Sequence, residues 1–216
     1  ALNLAMKRWD GKDLHDLAEL GDVAVFCLSD AIADSQGRIY VGDIGYNFWN
    51  PEAAPVDTCV IARIDPDGAV TKVADSLKFP NGIVITPDGR SLIVAETEGF
   101  RLTAYDVDAS GCLSKRRLYA QLPEGVQPDG ICLDAEGAVW VANPAGQPAV
   151  LRVREGGEVT DTIALDGHAY AVMLGGPDAR HLFICTSASH DPGEIAVRPS
   201  ARLLVAEVAV PGAGKL

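Results

Sequence analysis

Four residues occupy the same place in a repeated stretch of this sequence, and their side chains are the first to weigh for chemistry: Ser29, Asn81, Asp129 and Ala171. Each precedes a short apolar run that leads to a turn at Gly37, Gly89, Gly137 or Ala179, and the four are spaced by 52, 48 and 42 residues. A hydroxyl, a carboxamide and a carboxylate brought together would offer only oxygen donors, the ligand type that hard divalent cations prefer. Asp129 adds a second capacity, because a carboxylate beside such an ion can serve as a base toward water. A plainer reading is open at the same positions. Asn81-Gly82 and Asp129-Gly130 are turn-forming dipeptides, and either polar residue could simply shape the loop entering a strand.

What would position these side chains is visible in the units around them. Residues 79–95 read as two short strands joined by Pro87-Asp88-Gly89, and the pattern recurs over 30–42, 129–142 and 171–184. After each hairpin come a third strand, a turn and a fourth strand, as in 59–64 followed by 69–73, 101–107 followed by 112–122, and 149–153 followed by 158–165. Four antiparallel strands in a unit of about 40 to 50 residues make the blade of a β-propeller. The first strand of every blade lines the central channel, so the four equivalent positions are expected to converge on one axis. Residues 2–8 and 12–20 read as the last two strands of an earlier blade, and 172–174, 181–186 and 203–210 as three strands of a final one. About four and a quarter blades of a single domain over residues 1–216 are therefore visible, and no helix is expected. A six-bladed ring would need roughly 75 further residues before Ala1, which suggests an N-terminally incomplete ring. An open ring exposes blade faces and a strand edge, features that favour self-association.

Bulk properties narrow the partners. A formal charge of −12 without a Lys/Arg-rich run argues against nucleic acid and anionic membranes and leaves a cation or a small neutral ligand. No apolar run approaches the roughly 20 residues that cross a bilayer, and the five cysteines show no zinc-type spacing. Buried free thiols in a reducing compartment are the expectation, and with it a soluble, cytoplasmic protein.

The segments Pro80 to Glu96, Pro128 to Ala142 and Gly175 to Thr186 closely resemble the regucalcin/gluconolactonase (senescence marker protein-like) family of six-bladed propellers, over nearly the whole chain from about Ser29 onward. The resemblance implies one divalent ion, most often calcium and elsewhere zinc, magnesium or manganese, and hydrolysis of a sugar-type or related small lactone or ester. It places the family's metal-binding Asn on Asn81 and its metal-binding Asp, also the general base, on Asp129. The family's third ligand, a first-blade Glu, matches nothing here. Its substrate-contacting Asn is replaced by Ser29, ahead of Asp30, and the Arg often found two residues earlier by Cys27.

Other candidates flank the ring. The aromatic loop around Tyr46 and Trp49 either meets a ligand at the channel mouth or packs over a neighbouring blade. His168 and Tyr170 precede Ala171 and face either the channel or solvent. Ser187 and Ser189 near His190 lack the Gly-x-Ser-x-Gly elbow of a hydrolase triad. Beside the metal-dependent lactonase stand two other functions: a non-enzymatic calcium-binding or protein-interaction propeller, and an inactive truncated copy.

Overall fold

The computed structural model describes residues 3–50 and 52–214; the expectations touching Ala1, Leu2, Pro51, Lys215 and Leu216 lie outside the described residues. Strands form wherever β-branched and apolar residues alternate between turn residues. They group, in chain order, into a two-stranded sheet of β1 (Ala5–Trp9) and β2 (Leu14–Glu19) and a four-stranded sheet of β3 (Leu28–Ala33), β4 (Ile39–Asp43), β5 (Cys59–Ile64) and β6 (Val70–Leu77). Next comes a sheet of β7 (Pro80–Ile85), β8 (Ser91–Glu96), β9 (Arg101–Val107) and β10 (Leu113–Gln121). The fourth holds β11 (Ile131–Leu133), β12 (Val139–Asn143), β13 (Ala149–Val153) and β14 (Val159–Ala164), and the fifth β15 (His168–Gly175), β16 (His181–Ser187) and β17 (Arg202–Glu207). Every pairing is antiparallel between consecutive strands, so the described chain is all-β and propeller-like, with four blades following the β1–β2 pair.

The repeated turns adopt the geometry that their residue types favour. Gly37, Gly89 and Gly137 take φ of 78°, 69° and 80°, and Ala179, which stands where glycine stands elsewhere, is forced to 57°. Apolar cores lie between successive sheets. Tyr40 and Leu92 meet between the second and third, Val84 and Val141 between the third and fourth, Trp140 and Ile184 between the fourth and fifth. The third strands β5 and β13 are buried along their full length, as expected for strands covered on both faces.

Two expectations are corrected. Pro192–Val197 forms a helix, α1, because Asp191 caps it by accepting from the Gly193 and Glu194 amides at 2.8 and 3.0 Å and Pro192 opens the first turn. All five cysteines are free, but Cys112, in the turn before β10, and Cys185, on the wall of the channel cavity, are exposed. No helix among the described residues is long and apolar enough to cross a membrane.

Candidate metal and lactone site

All four inner strands start at one end of the channel, and there the blades are stitched together. The Gly82 amide donates to the Asp129 carbonyl at 3.1 Å, and the Gly130 amide to the Tyr170 carbonyl at 2.9 Å. A Cβ on Gly82 would sit 2.6 Å from both Asp129 O and Ile131 N, and one on Gly130 would sit 2.8 Å from Tyr170 O and the Ala171 Cα. Neither glycine has positive φ. These two glycines are required by the close approach of the next blade and not by a positive φ. Glycine here brings the preceding polar side chain to its neighbour's backbone.

As a result Asn81 and Asp129, 48 positions apart in the chain, lie side by side, with the Asn81 carboxamide hydrogen-bonded to the Asp129 carboxylate. Burial pushes the Asp129 carboxyl up to about 7; the Asn81 hydrogen bond and the Gly130 amide oppose the rise, and the negative charge of Asp30 adds to it. Asp30 is itself raised by burial, although its Oδ1 accepts from the Ala31 amide at 2.9 Å and its Oδ2 from the Ile83 amide at 3.3 Å. Ser29 donates its hydroxyl proton to the Pro80 carbonyl at 2.7 Å. One blade on, Thr97 does the same to the Pro128 carbonyl at 2.7 Å. The residue ahead of Asn81 and of Asp129 is thus a proline whose carbonyl is held by a hydroxyl from the preceding blade.

Ala171 brings no donor, but its neighbours do. The Tyr170 hydroxyl and His168 Nδ1 are buried with no hydrogen-bond partner among the described residues, and burial together with the Asp129 charge raises the Tyr170 hydroxyl's pKa. The Tyr170 ring stands 6.5 Å from His168 and 6.4 Å from His190, which the loop carrying α1 brings over the same end. The loop after β4 mostly packs. Phe48 lies 4.3 Å from Trp49 and 5.5 Å from Phe79, and Tyr46 stands 6.0 Å from Phe79. Burial and the negative charge of Glu98 raise Tyr46 to about 12, while Trp49 keeps 44% of its surface exposed.

Below this end a cavity of about 470 Å³ runs down the channel from Asp30 and Gly130 to Asp88 and Gly214. Its walls are mainly apolar inner-strand residues such as Ile85, Cys132 and Met173, and neither Asn81 nor Asp129 lines it. Polar residues return at the far end, where Asp34, Thr86 and Asp88 line the cavity. A hard cation fits the donors at the mouth, since Asn81 and Asp129 contribute oxygens only. No cluster of three or more His, Cys, Asp or Glu side chains forms a complete cage among the described residues.

The sequence does not single out Glu96 and Thr97. Glu96, fully buried at the end of β8, accepts from Arg101 Nε at 3.0 Å and Nη2 at 2.9 Å, from Arg116 at 3.1 Å, from the Lys78 amide at 2.9 Å and from the Thr103 hydroxyl. Its register partner on β7 is Pro80, the residue before Asn81, and that pairing is the sequence signal that links it to the site.

Comparison with known proteins agrees with this arrangement. The model of the SMP-30/Gluconolactonase/LRE-like region matches residues 4–188. Pentonolactonase XacC of Haloferax volcanii is 31% identical over 76% of this chain and 55% of its own length, so the chain spans about half of that relative. Among solved structures, the calcium-binding protein regucalcin from Agrobacterium tumefaciens superposes with a TM-score of 0.73 at 25% identity, covering 94% of this chain and 68% of that one. A luciferin-regenerating enzyme gives a TM-score of 0.78 at 21% identity, covering 96% and 72%, a likeness of fold. With its matched region, its propeller-like succession of antiparallel sheets and its blade-to-blade glycines, the chain belongs to the SMP-30/gluconolactonase/LRE-like family.

Proposed function

We propose that the protein hydrolyses a small lactone, with Asn81 and Asp129 holding a divalent cation and Asp129 acting as the base toward water. The observation that carries this reading is the pairing of that amide and carboxylate at the hub, where a buried carboxylate with few partners stands ready to hold a cation and accept a proton from water. A family relative named for pentonolactone hydrolysis supports the reaction class, and a neighbour described as calcium-binding supports calcium ahead of zinc, magnesium or manganese. The resemblance noted in the sequence adds a six-bladed ring and a Glu as third ligand. Free thiols at all five cysteines support the cytoplasm as its compartment.

The cation, when bound, would polarise the ring carbonyl. Asp129 takes a proton from water as the water oxygen bonds to the carbonyl carbon. The ring C–O bond then breaks, and the proton passes to the departing oxygen, giving the hydroxy acid. Asp30, His168 and Tyr170 stand at the mouth where they would face the substrate, and Tyr46 and Trp49 border it from the aromatic loop. Ser29 can offer only lone pairs, since its proton is committed to Pro80.

That commitment favours a second reading, a cation-binding propeller without turnover. The test is pH-stat titration of the full chain with glucono-δ-lactone and γ-butyrolactone, with calcium, zinc, magnesium or manganese added in turn. Cation-stimulated opening that is lost in Asp129→Ala supports the lactonase. Calorimetric calcium binding without opening of either lactone supports the second reading, and neither signal removes both.

A further inference from the structure

The orientation of the Asn81 amide decides what it can ligate, and that orientation is fixed from a neighbouring position. Thr97 is 7% exposed. Its backbone amide is tied to the Phe79 carbonyl at 3.0 Å, and its carbonyl accepts from the Phe100 amide at 3.3 Å. It follows directly on Glu96, whose five hydrogen bonds anchor the end of β8. As a β-branched residue it has little freedom at χ1.

A threonine hydroxyl has one proton and two lone pairs. The Thr97 proton goes to the Pro128 carbonyl at 2.7 Å, and a carbonyl has no proton to return. Only a lone pair remains for Asn81, whose side chain lies 3.4 Å away. The carboxamide must therefore present Nδ2 to Thr97, and the Asp129 carboxylate, which can only accept, calls for the same nitrogen. Its oxygen is then left with no donor among the described residues. Were the amide reversed, its oxygen would meet the Thr97 lone pair, and Nδ2, which repels a cation, would take the ligand's place.

We infer that Thr97 is the positioning residue of the cation site: through one hydroxyl it ties the backbone ahead of Asp129 to the amide of Asn81 and keeps the Asn81 oxygen available as a ligand. This rests on the proposed role of Asn81 and Asp129 as cation ligands. A residue acting on a ligand from behind typically changes affinity by about 10- to 100-fold when removed.

The test is calorimetric titration of the full chain with calcium alone, together with melting curves. Thr97→Val keeps the shape of the side chain and removes the hydroxyl; calcium affinity is expected to fall about tenfold. Thr97→Ser keeps the hydroxyl and should stay within about twofold of the parent, which a role in packing would not predict. In an Asn81→Ala background, Thr97→Val should cause a clearly smaller loss, since only its tie to the backbone ahead of Asp129 remains to be removed. Equal affinity of Thr97→Val and the parent, or an undiminished loss without Asn81, overturns the inference alone. Should Thr97→Val not fold, a tenfold loss in Thr97→Ser overturns it as well. If the parent chain binds no calcium, the reading of the site falls first and the inference with it.

Discussion

Glu96 and Asp129 lie on adjacent blades at the same end of the channel, yet their surroundings push them in opposite directions. Burial raises both carboxyls. Around Glu96 the hydrogen bonds of Arg101, Thr103 and the Lys78 amide outweigh burial, so it is held below its ordinary value. Around Asp129 only Asn81 and one backbone amide oppose burial, and the charge of Asp30 works against them. A desolvated carboxylate with two guanidiniums is a fastener, while one left with a single amide is short of partners. The difference shows that depth does not select the reactive group; what remains unsatisfied after folding does.

Substitutions at the two carboxylates should separate these roles. Asp129→Ala is expected to lower lactone hydrolysis by about 10² to 10⁴, the usual contribution of one general base, measured by pH-stat assay. Glu96→Ala leaves Arg101 and Arg116 facing an empty site and should destabilise the fold by about 3 to 5 kcal/mol in urea titration, with calcium affinity lost only as the protein unfolds. If Glu96→Ala is as stable as the parent, the contrast between the two residues is wrong.

A smaller effect distinguishes them by pH. The folded state holds the Asp129 proton to about 7 against an ordinary 3.8, so it binds more protons than the unfolded chain in that interval. Stability should therefore fall as pH rises from about 4 to about 7, and Asp129→Asn should flatten that slope. Glu96 is lowered from an ordinary 4.5, so its contribution is present above that value and is lost as pH falls through its folded pKa. Denaturant titrations at several pH values read both slopes. The smallest expected change comes from Asn81→Ala, which removes the hydrogen bond holding Asp129 down and should move its titration upward by roughly one pH unit in carboxyl NMR. A downward move would mean that Asn81 is not its partner.

The order of strands, the turn glycines and the alignment of Ser29, Asn81, Asp129 and Ala171 were legible in the sequence because a blade is a local unit whose period repeats along the chain. That period also made Asn81 and Asp129 candidate neighbours at the hub. Helix α1 was also within reach, since Asp191-Pro192 is a cap followed by a first-turn proline. It was hidden by the expectation of strands only.

Local sequence could not show why Gly82 and Gly130 are glycines, because the atoms that exclude a side chain there belong to the next blade, Asp129 and Ile131 in one case and Tyr170 and Ala171 in the other. Nor could it show that Thr97 spends its proton on Pro128, or that three side chains and a backbone amide close around Glu96 while Asp129 is left with few partners. Residue types and spacing determined which groups reach the hub. Only the packing of one sheet on another set their protonation and orientation, since desolvation and hydrogen bonding depend on neighbours in space and not along the chain.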